Sequence, residues 1–350
     1  MKFRLTLPIL LILSFSMQTA LFAAKAPKKI KVFILAGQSN MEGKAKVELL
    51  KYQASLPETK ELFKQFVKDG EFLTRDDVWI NYLNRKGNLT VGYGSPDRIG
   101  PELGFGFTIG DHFDQQILII KTAWGGKSLG RDFRPPSSGL PDEQTLNEIL
   151  TKTNEQNEKR KRPLVTMDDI KKSYGHYYRE MLKEVSTTLA ELKTRFPEYK
   201  EQGYEIAGFV WFQGWNDMFD ENFLANYDKH MANFIRDIRK DLKCPKLPVV
   251  IGQMGQEGPD GASKNMQTIK DAQAAMENIK EFKGNVKVVK TDQFWDEKAA
   301  KLVKNWQDNI KEWEKVGSDR GYHYLGSAIT FTKIGNAFGD AMIELMGNEK

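Results

Sequence analysis

Lys31-Val-Phe-Ile-Leu-Ala-Gly-Gln-Ser-Asn-Met41 is the stretch from which the fold can be read. Val32 to Ala36 is a short apolar run rich in strand formers, the length that a strand buried on both faces needs. Gly37 ends the run, and Gln38, Ser39, Asn40 and Met41 follow. A hydroxyl directly after a buried strand stands at the carboxyl edge of a sheet, where open α/β sheets bind ligands. Ser39 is therefore the candidate nucleophile, and the rest of the chain must supply its partners.

Four more apolar runs repeat the pattern: Ile117–Ala123, Ile206–Phe212, Leu247–Gln253 and Val286–Thr291. Helical periodicity lies between and after them. Ile170, Tyr174, Tyr177, Met181, Val185, Leu189, Leu192 and Phe196 share one face, with Thr166 and Asp169 as a capping box and Pro197 as a stop. Further amphipathic patterns run over 224–242, 266–279 and 334–345. Near-continuous apolar strands alternating with such helices predict a single α/β domain, a three-layer α/β/α sandwich around a five-stranded parallel sheet. Three segments fall outside this rhythm, at about 44–99, 131–165 and 293–316. In the first, Asp77–Leu83 and Leu89–Tyr93 read as a hairpin across Asn84–Asn88.

The 350 residues are 40% hydrophobic and 11% aromatic, which excludes wholesale disorder. Residues 1–26 read as a secretory signal, with Lys2 and Arg4, an apolar run from Leu5 to Phe15, and small residues from Ala20 to Ala26 around the cleavage point. An uncleaved anchor is the alternative, although the run is short for a span. The reading is a secreted or periplasmic protein whose mature chain, residues 27–350, has no transmembrane segment. A lone cysteine, Cys244, excludes an intrachain disulfide. The net charge of +5 is mild, and the basic cluster Glu158–Arg162 has no helix-turn-helix or interleaved aromatics around it, so nucleic acid is not an expected partner.

A serine nucleophile needs a base, a group that orients the base, and donors for the oxyanion. The chain holds four histidines. His176 and His230 fall inside amphipathic helices and His112 near the end of a helix after Gly100-Pro-Glu. His323 alone sits in an irregular stretch, with Asp319 four residues before it. Donors come from two turns. Lys121-Thr-Ala-Trp-Gly-Gly-Lys-Ser128 ends the second strand, and its glycines let backbone N–H groups approach a ligand. Trp211-Phe-Gln-Gly-Trp-Asn-Asp217 ends the third and places the Asn216 amide beyond the sheet. A phosphate loop would need glycine where Lys121 stands; Gly-x-Ser-x-Gly, His-Glu-x-x-His and Gly-x-Gly-x-x-Gly are all missing. Scattered histidines and one cysteine predict no metal, and no cofactor is expected.

Gly37-Gln-Ser-Asn-Met41, Gly125-Gly126, Gly214-x-Asn216-Asp217 and Asp319…His323 together resemble the four sequence blocks of the SGNH hydrolases. The Gly-Gln-Ser-Asn-Met and Trp-x-Gln-Gly forms are similar to the sialate O-acetylesterase and acetylxylan esterase branch, carbohydrate esterase family six. The resemblance implies a flavodoxin-like sheet of order 2-1-3-4-5 and hydrolysis of acetyl esters on carbohydrate. It implies Ser39 as nucleophile, His323 as base, Asp319 as its partner, and Ser39, Gly125, Gly126 and Asn216 as the oxyanion hole. Gln38 and Glu102 match family positions near the site, and Trp124, Gln213, Trp215 and Tyr322 are candidates for substrate contact. Phe133, Trp211 and Tyr324 also cluster around these blocks, Trp211 reading as core. Three departures stand out: four residues rather than three from Asp319 to His323, Trp215 where Glu commonly follows Gln-Gly, and Lys127 in place of a small hydroxyl residue. A lipase or thioesterase of the same fold, and a carbohydrate-binding protein without activity, are the alternatives.

Overall fold

The computed structural model describes residues 28–347; the expected signal segment lies outside them. The central strands are β1 (Ile30–Gly37), β2 (Arg75–Tyr82), β3 (Arg85–Leu89), β4 (Ile117–Ala123), β5 (Tyr204–Phe212), β6 (Val249–Gln253) and β7 (Val286–Lys290). They form one sheet in the order β7-β6-β5-β1-β4-β2-β3, parallel except for β3. The mixed α/β class with a mostly parallel sheet agrees with expectation, but the sheet has seven strands, not five. The added pair is the hairpin, which does not stand apart: β2 pairs in parallel with β4 over Val78–Tyr82.

The hairpin turn also differs from expectation. Tyr82 pairs with Arg85, so Leu83 and Asn84 make the turn and Arg85–Leu89, expected to be mostly turn, is the strand. Leu83 pays for the tight connection with a positive φ of 52°.

All eight residues of β1 are buried, which is why its sequence shows no alternation. Its side chains divide between two cores. Val32, Ile34 and Ala36 join one, with Tyr227, Met231 and Ile235 of the helix Glu221–Asp241 and Ile269 of the helix Lys264–Ala275. Phe33 and Leu35 join the other, under the helices α1 (Pro101–His112) and α6 (Ala328–Met346). We number the intervening long helices α2 (Glu143–Lys159), α3 (His176–Ala190), α4 (Glu221–Asp241) and α5 (Lys264–Ala275). Each fully buried Val, Leu, Ile or Phe adds roughly 1.5–3 kcal/mol to this packing. α1 and α6 touch closely because Gly104 and Gly335 face each other; a Cβ on Gly335 would lie 2.4 Å from Pro101 O.

One expected helix is broken. The capping box at Thr166 and Asp169 forms as read, but it starts a short helix, Met167–Ser173, and α3 begins only at His176. Gly175 between them is left-handed (φ 66°), and a Cβ there would strike Arg134 O at 2.7 Å. Tertiary contact with the 131–134 loop overrides the helical periodicity at this point. Among the described residues no helix is long and apolar enough to cross a membrane.

Candidate active site

The carboxyl ends of β4, β1 and β5 lie side by side, and each runs into a loop that carries one polar block. After β1 the chain turns at once into the helical turn Ser39–Glu42. That turn needs glycine at 37, because a Cβ there would stand 2.1 Å from Phe212 O at the end of β5. Ser39 is 6% exposed, and its N–H lies in the first turn, where no intrahelical acceptor exists.

A polar network fastens the three loops. Gln38 Oε1 accepts from Gln213 Nε2 (3.1 Å) and from the Gly214 N–H (3.3 Å), and Gln38 Nε2 donates to Asn216 Oδ1 (3.3 Å). Asn216 Nδ2 donates to Gly126 O at 3.0 Å. Beneath them Asp217, fully buried, accepts from the Leu129 N–H (2.9 Å), the Gly130 N–H (2.7 Å) and Gln213 Nε2 (2.6 Å). Burial pushes the Asp217 carboxyl up to about 6, against the pull of these three donors. The sequence marks Asp217 only as a motif position; its role as the staple between two loops is visible only in the structure.

His323 arrives from the other end of the chain. The backbone from Tyr324 to Gly326 is left-handed at three successive residues, with φ of 50°, 60° and 58°. Non-glycine residues in this region cost on the order of 1–3 kcal/mol each and persist only where surroundings impose them. Here the Ser318 and Asp319 N–H groups both donate to Leu325 O, and the Leu325 N–H donates to Arg320 O. The buried Tyr324 hydroxyl accepts from the Gly255 N–H (2.8 Å) and bonds Thr291 Oγ1 (2.6 Å). Asn40 Nδ2 donates to Tyr322 O at 3.1 Å and so ties the serine turn to the histidine loop.

Within the loop, His323 Nδ1 bonds Asp319 Oδ1 at 2.9 Å, so the four-residue spacing does bring acid and imidazole together. Burial alone would raise the Asp319 carboxyl. The bonds from His323 and the Arg320 N–H, with the charges of His323 and Arg98, outweigh it and hold the carboxyl below the usual range. With Nδ1 committed to Asp319, Nε2 is the nitrogen that can serve a reacting group.

Ser39, His323, Gly125, Gly126 and Asn216 line one open cleft of about 320 Å³, with Gln38 and Lys44 beside them. A Cβ on Gly125 would lie 3.3 Å from Glu42 Oε2 and 3.9 Å from Ser39 Cβ, so this glycine stands beside both side chains. No hydrogen bond joins Ser39 Oγ to His323 among the described residues; the two are brought to the same cleft.

The candidate substrate contacts separate into two groups. Trp215 and Tyr322 stand on the cleft with ring centroids 5.8 Å apart, and Phe219, unmarked in the sequence reading, extends the row at 5.9 Å from Trp215 and is 70% exposed. Glu102 is a correction. It is fully buried away from the cleft, accepting from the Gly100 N–H and from Lys121 Nζ at 2.7 Å, because an uncompensated buried ammonium needs a carboxylate. Gln213 is 3% exposed and serves the loop network from below. Trp124 packs against Phe133 and Tyr177 outside the cleft lining. Phe133, Trp211 and Tyr324 are core residues. Among the described residues no cluster of His, Cys, Asp and Glu could hold a metal ion.

Comparison with known proteins places this chain in a class, the carbohydrate esterases. The profile of the family described as carbohydrate esterase, sialic acid-specific acetylesterase, matches residues 29–303, and the chain belongs to this family. A "probable carbohydrate esterase" of Arabidopsis thaliana is 31% identical over 76 residues, 22% of this chain and 25% of the relative's length. The solved structure of an Arabidopsis thaliana protein superposes with a TM-score of 0.49 at 15% identity, covering 90% of this chain and 98% of its own. That of a carbohydrate acetylesterase from Xanthomonas citri gives 0.49 at 12% identity, covering 89% and 55%.

Proposed function

We propose that this protein is an exported serine esterase that removes acetyl groups from O-acetylated carbohydrate. The observation that carries the reading is the His323–Asp319 pair, bonded at 2.9 Å, in the same cleft as Ser39. Ser39 Oγ attacks the acetyl carbonyl carbon as His323 Nε2 takes its proton. The oxyanion forms beside the N–H groups of Ser39 and Gly125 or Gly126 and the Asn216 amide, donors worth a few kcal/mol each in the transition state. The C–O bond to the sugar breaks, the leaving alkoxide takes the proton from His323, and an acetyl-enzyme remains. Water then attacks the acetyl carbon by the same base, and acetate and free Ser39 result. Asp319 keeps Nδ1 protonated and stabilises the imidazolium. The row of Phe219, Trp215 and Tyr322 offers flat apolar faces suited to sugar rings. Residues 1–26 direct export in this reading, and acetylated polysaccharide and acetylated sialic acid are both substrates to be compared.

The test is hydrolysis of 4-nitrophenyl acetate and acetate release from a panel of acetylated glycans. Ser39→Ala is expected to lower kcat at least about 10³-fold, given what loss of a triad nucleophile costs. Turnover unchanged in that variant overturns the serine mechanism, and a preference for octanoyl over acetyl esters replaces the acetyl reading with a lipase-like one.

A further inference from the structure

We infer that Arg98 is a positioning residue of the catalytic group: it holds the outer oxygen of Asp319 and thereby fixes His323. The inference rests on the esterase reading above for its kinetic consequence but not for its geometry. Asp319 has two oxygens with separate duties. Oδ1 takes His323 Nδ1 (2.9 Å) and the Arg320 N–H (2.7 Å), and Oδ2 takes Arg98 Nη1 at 2.9 Å. The same guanidinium nitrogen also donates to Lys44 O. Arg98 is itself held by a short antiparallel pairing of Arg98–Ile99 with Ala45–Lys46, 221 residues from Asp319 in sequence.

The need for such a residue follows from where Asp319 sits. It lines not only the histidine loop but also a groove of about 450 Å³ with Arg98, Trp306 and Trp313, which shares no lining residue with the Ser39 cleft. A carboxylate beside an open groove would otherwise turn toward solvent, and its imidazole partner would turn with it. Arg98 occupies that side with a planar, permanently charged donor. Its side chain and that of Asp319 are 23% and 17% exposed, so the pair is shielded on most sides but not sealed.

The other charged groups around the pair are few. The Lys44 ammonium faces the cleft and is paired with Glu42 at 3.0 Å. Arg320 lies over the Trp306 ring, and Glu257 approaches Gly321. Lys46, Glu48 and Glu314 line the groove. Of these cations only Arg98 bonds Asp319 through its side chain. Losing it leaves the carboxylate easier to protonate, which moves the loss of activity on acidification to higher pH.

The experiment compares wild type with Arg98→Ala, Arg98→Lys and Lys46→Ala. Lys46 belongs to the same pairing, but its ammonium has no bond to Asp319. On 4-nitrophenyl acetate, Arg98→Ala is expected to lower kcat about tenfold or more with KM within twofold, as a misplaced catalytic group does. The acid limb of its kcat/KM profile moves to higher pH by about half a unit, Arg98→Lys recovers part of both effects, and Lys46→Ala shows neither. The His323 imidazole proton resonance, identified by its loss in His323→Gln, reports independently of turnover. The His323 Nδ1–H, bonded to Asp319, is expected to exchange with water faster in Arg98→Ala. A wild-type acid limb and wild-type exchange in a folded Arg98→Ala protein overturn the inference. Absence of wild-type esterase activity with faster exchange overturns the esterase reading and leaves the positioning role standing.

Discussion

Asp217 shows how much one buried carboxylate beneath the site can do. It joins the loops after β4 and β5 through three accepted hydrogen bonds, yet burial makes its charged form costly. Its folded value of about 6 lies above its unfolded value, so the folded protein binds a proton that the unfolded chain has released between pH 4 and 6. The contribution of this group to stability is therefore fully present below pH 4 and falls as pH rises through 6. Asp319 has the opposite sign, but its loss of stability falls below pH 4, outside this window. His230, pulled down to about 4 chiefly by burial, opposes Asp217 inside the window, so the Asp217 effect is read as a difference between proteins. On going from pH 7 to pH 5, the Tm of the wild type should change by a few degrees in the stabilising direction relative to that of Asp217→Asn, which lacks this increment. The same variant should be less stable at both pH values by about 1–3 kcal/mol, since an amide NH₂ cannot accept from a backbone N–H. Calorimetry of both proteins at the two pH values checks it; an equal increment in the variant refutes the assignment.

At the scale of elements, β4 meets α1 through a buried ion pair that also reaches the turn after β1. Lys121 Nζ donates to Glu42 O (2.7 Å), Tyr93 O (2.8 Å) and Glu102 Oε2 (2.7 Å), and lies 4.5 Å from the Tyr82 ring. β4, β2, α1 and the Ser39–Glu42 turn are thus joined at one ammonium. Burial pulls the Lys121 value down, and Glu102 pulls against it. Removing one partner strands the other, so Glu102→Leu should lower the unfolding free energy by about 3–5 kcal/mol. Adding Lys121→Met should recover part of that loss, though not all, because Glu42 O and Tyr93 O lose their donor. Urea unfolding of the singles and the double tests this, and a double variant as damaged as the summed singles would show that the two charges are independent. The sequence pattern could point to Glu102 near Ser39 but not to its direction: a carboxylate in the first turn of α1 can face cleft or core, and the buried Lys121 decides it.

For the whole molecule, the decisive feature is where the strand order reverses. From β1 the sheet extends through β4, β2 and β3 on one side and through β5, β6 and β7 on the other. Loops leaving β1 and β5 diverge there and open a crevice. Exposed Phe219 and Tyr322, with half-buried Trp215 between them, extend that cleft along the surface, which in the proposed function bears on a polymer rather than a small ester. Phe219→Ala, at a site too exposed to affect folding, should raise KM severalfold on an acetylated polysaccharide and leave 4-nitrophenyl acetate kinetics unchanged. Michaelis curves on both substrates decide it; an unchanged polymer KM removes Phe219 from the binding surface.

Local order was legible in the chain. Strands β1 and β4 to β7 are apolar runs bounded by turn residues, and α4, α5 and α6 announce themselves by periodicity, because both signals lie within a few residues of one another. The blocks around Ser39, Gly125, Asn216 and His323 could be read for the same reason. Contacts between distant residues were not. The hairpin register is hidden because Lys86-Gly-Asn88 looks like a turn, whereas pairing of β2 with β4 sets the frame and leaves Leu83-Asn84 to turn. Gly175 breaks a helix only because the 131–134 loop packs against it. Arg98, Asn40 and Asp217 acquire their work from partners 221, 282 and 88 residues away. Which side chain fills a given gap is settled by packing in three dimensions, and no local pattern along the chain encodes it.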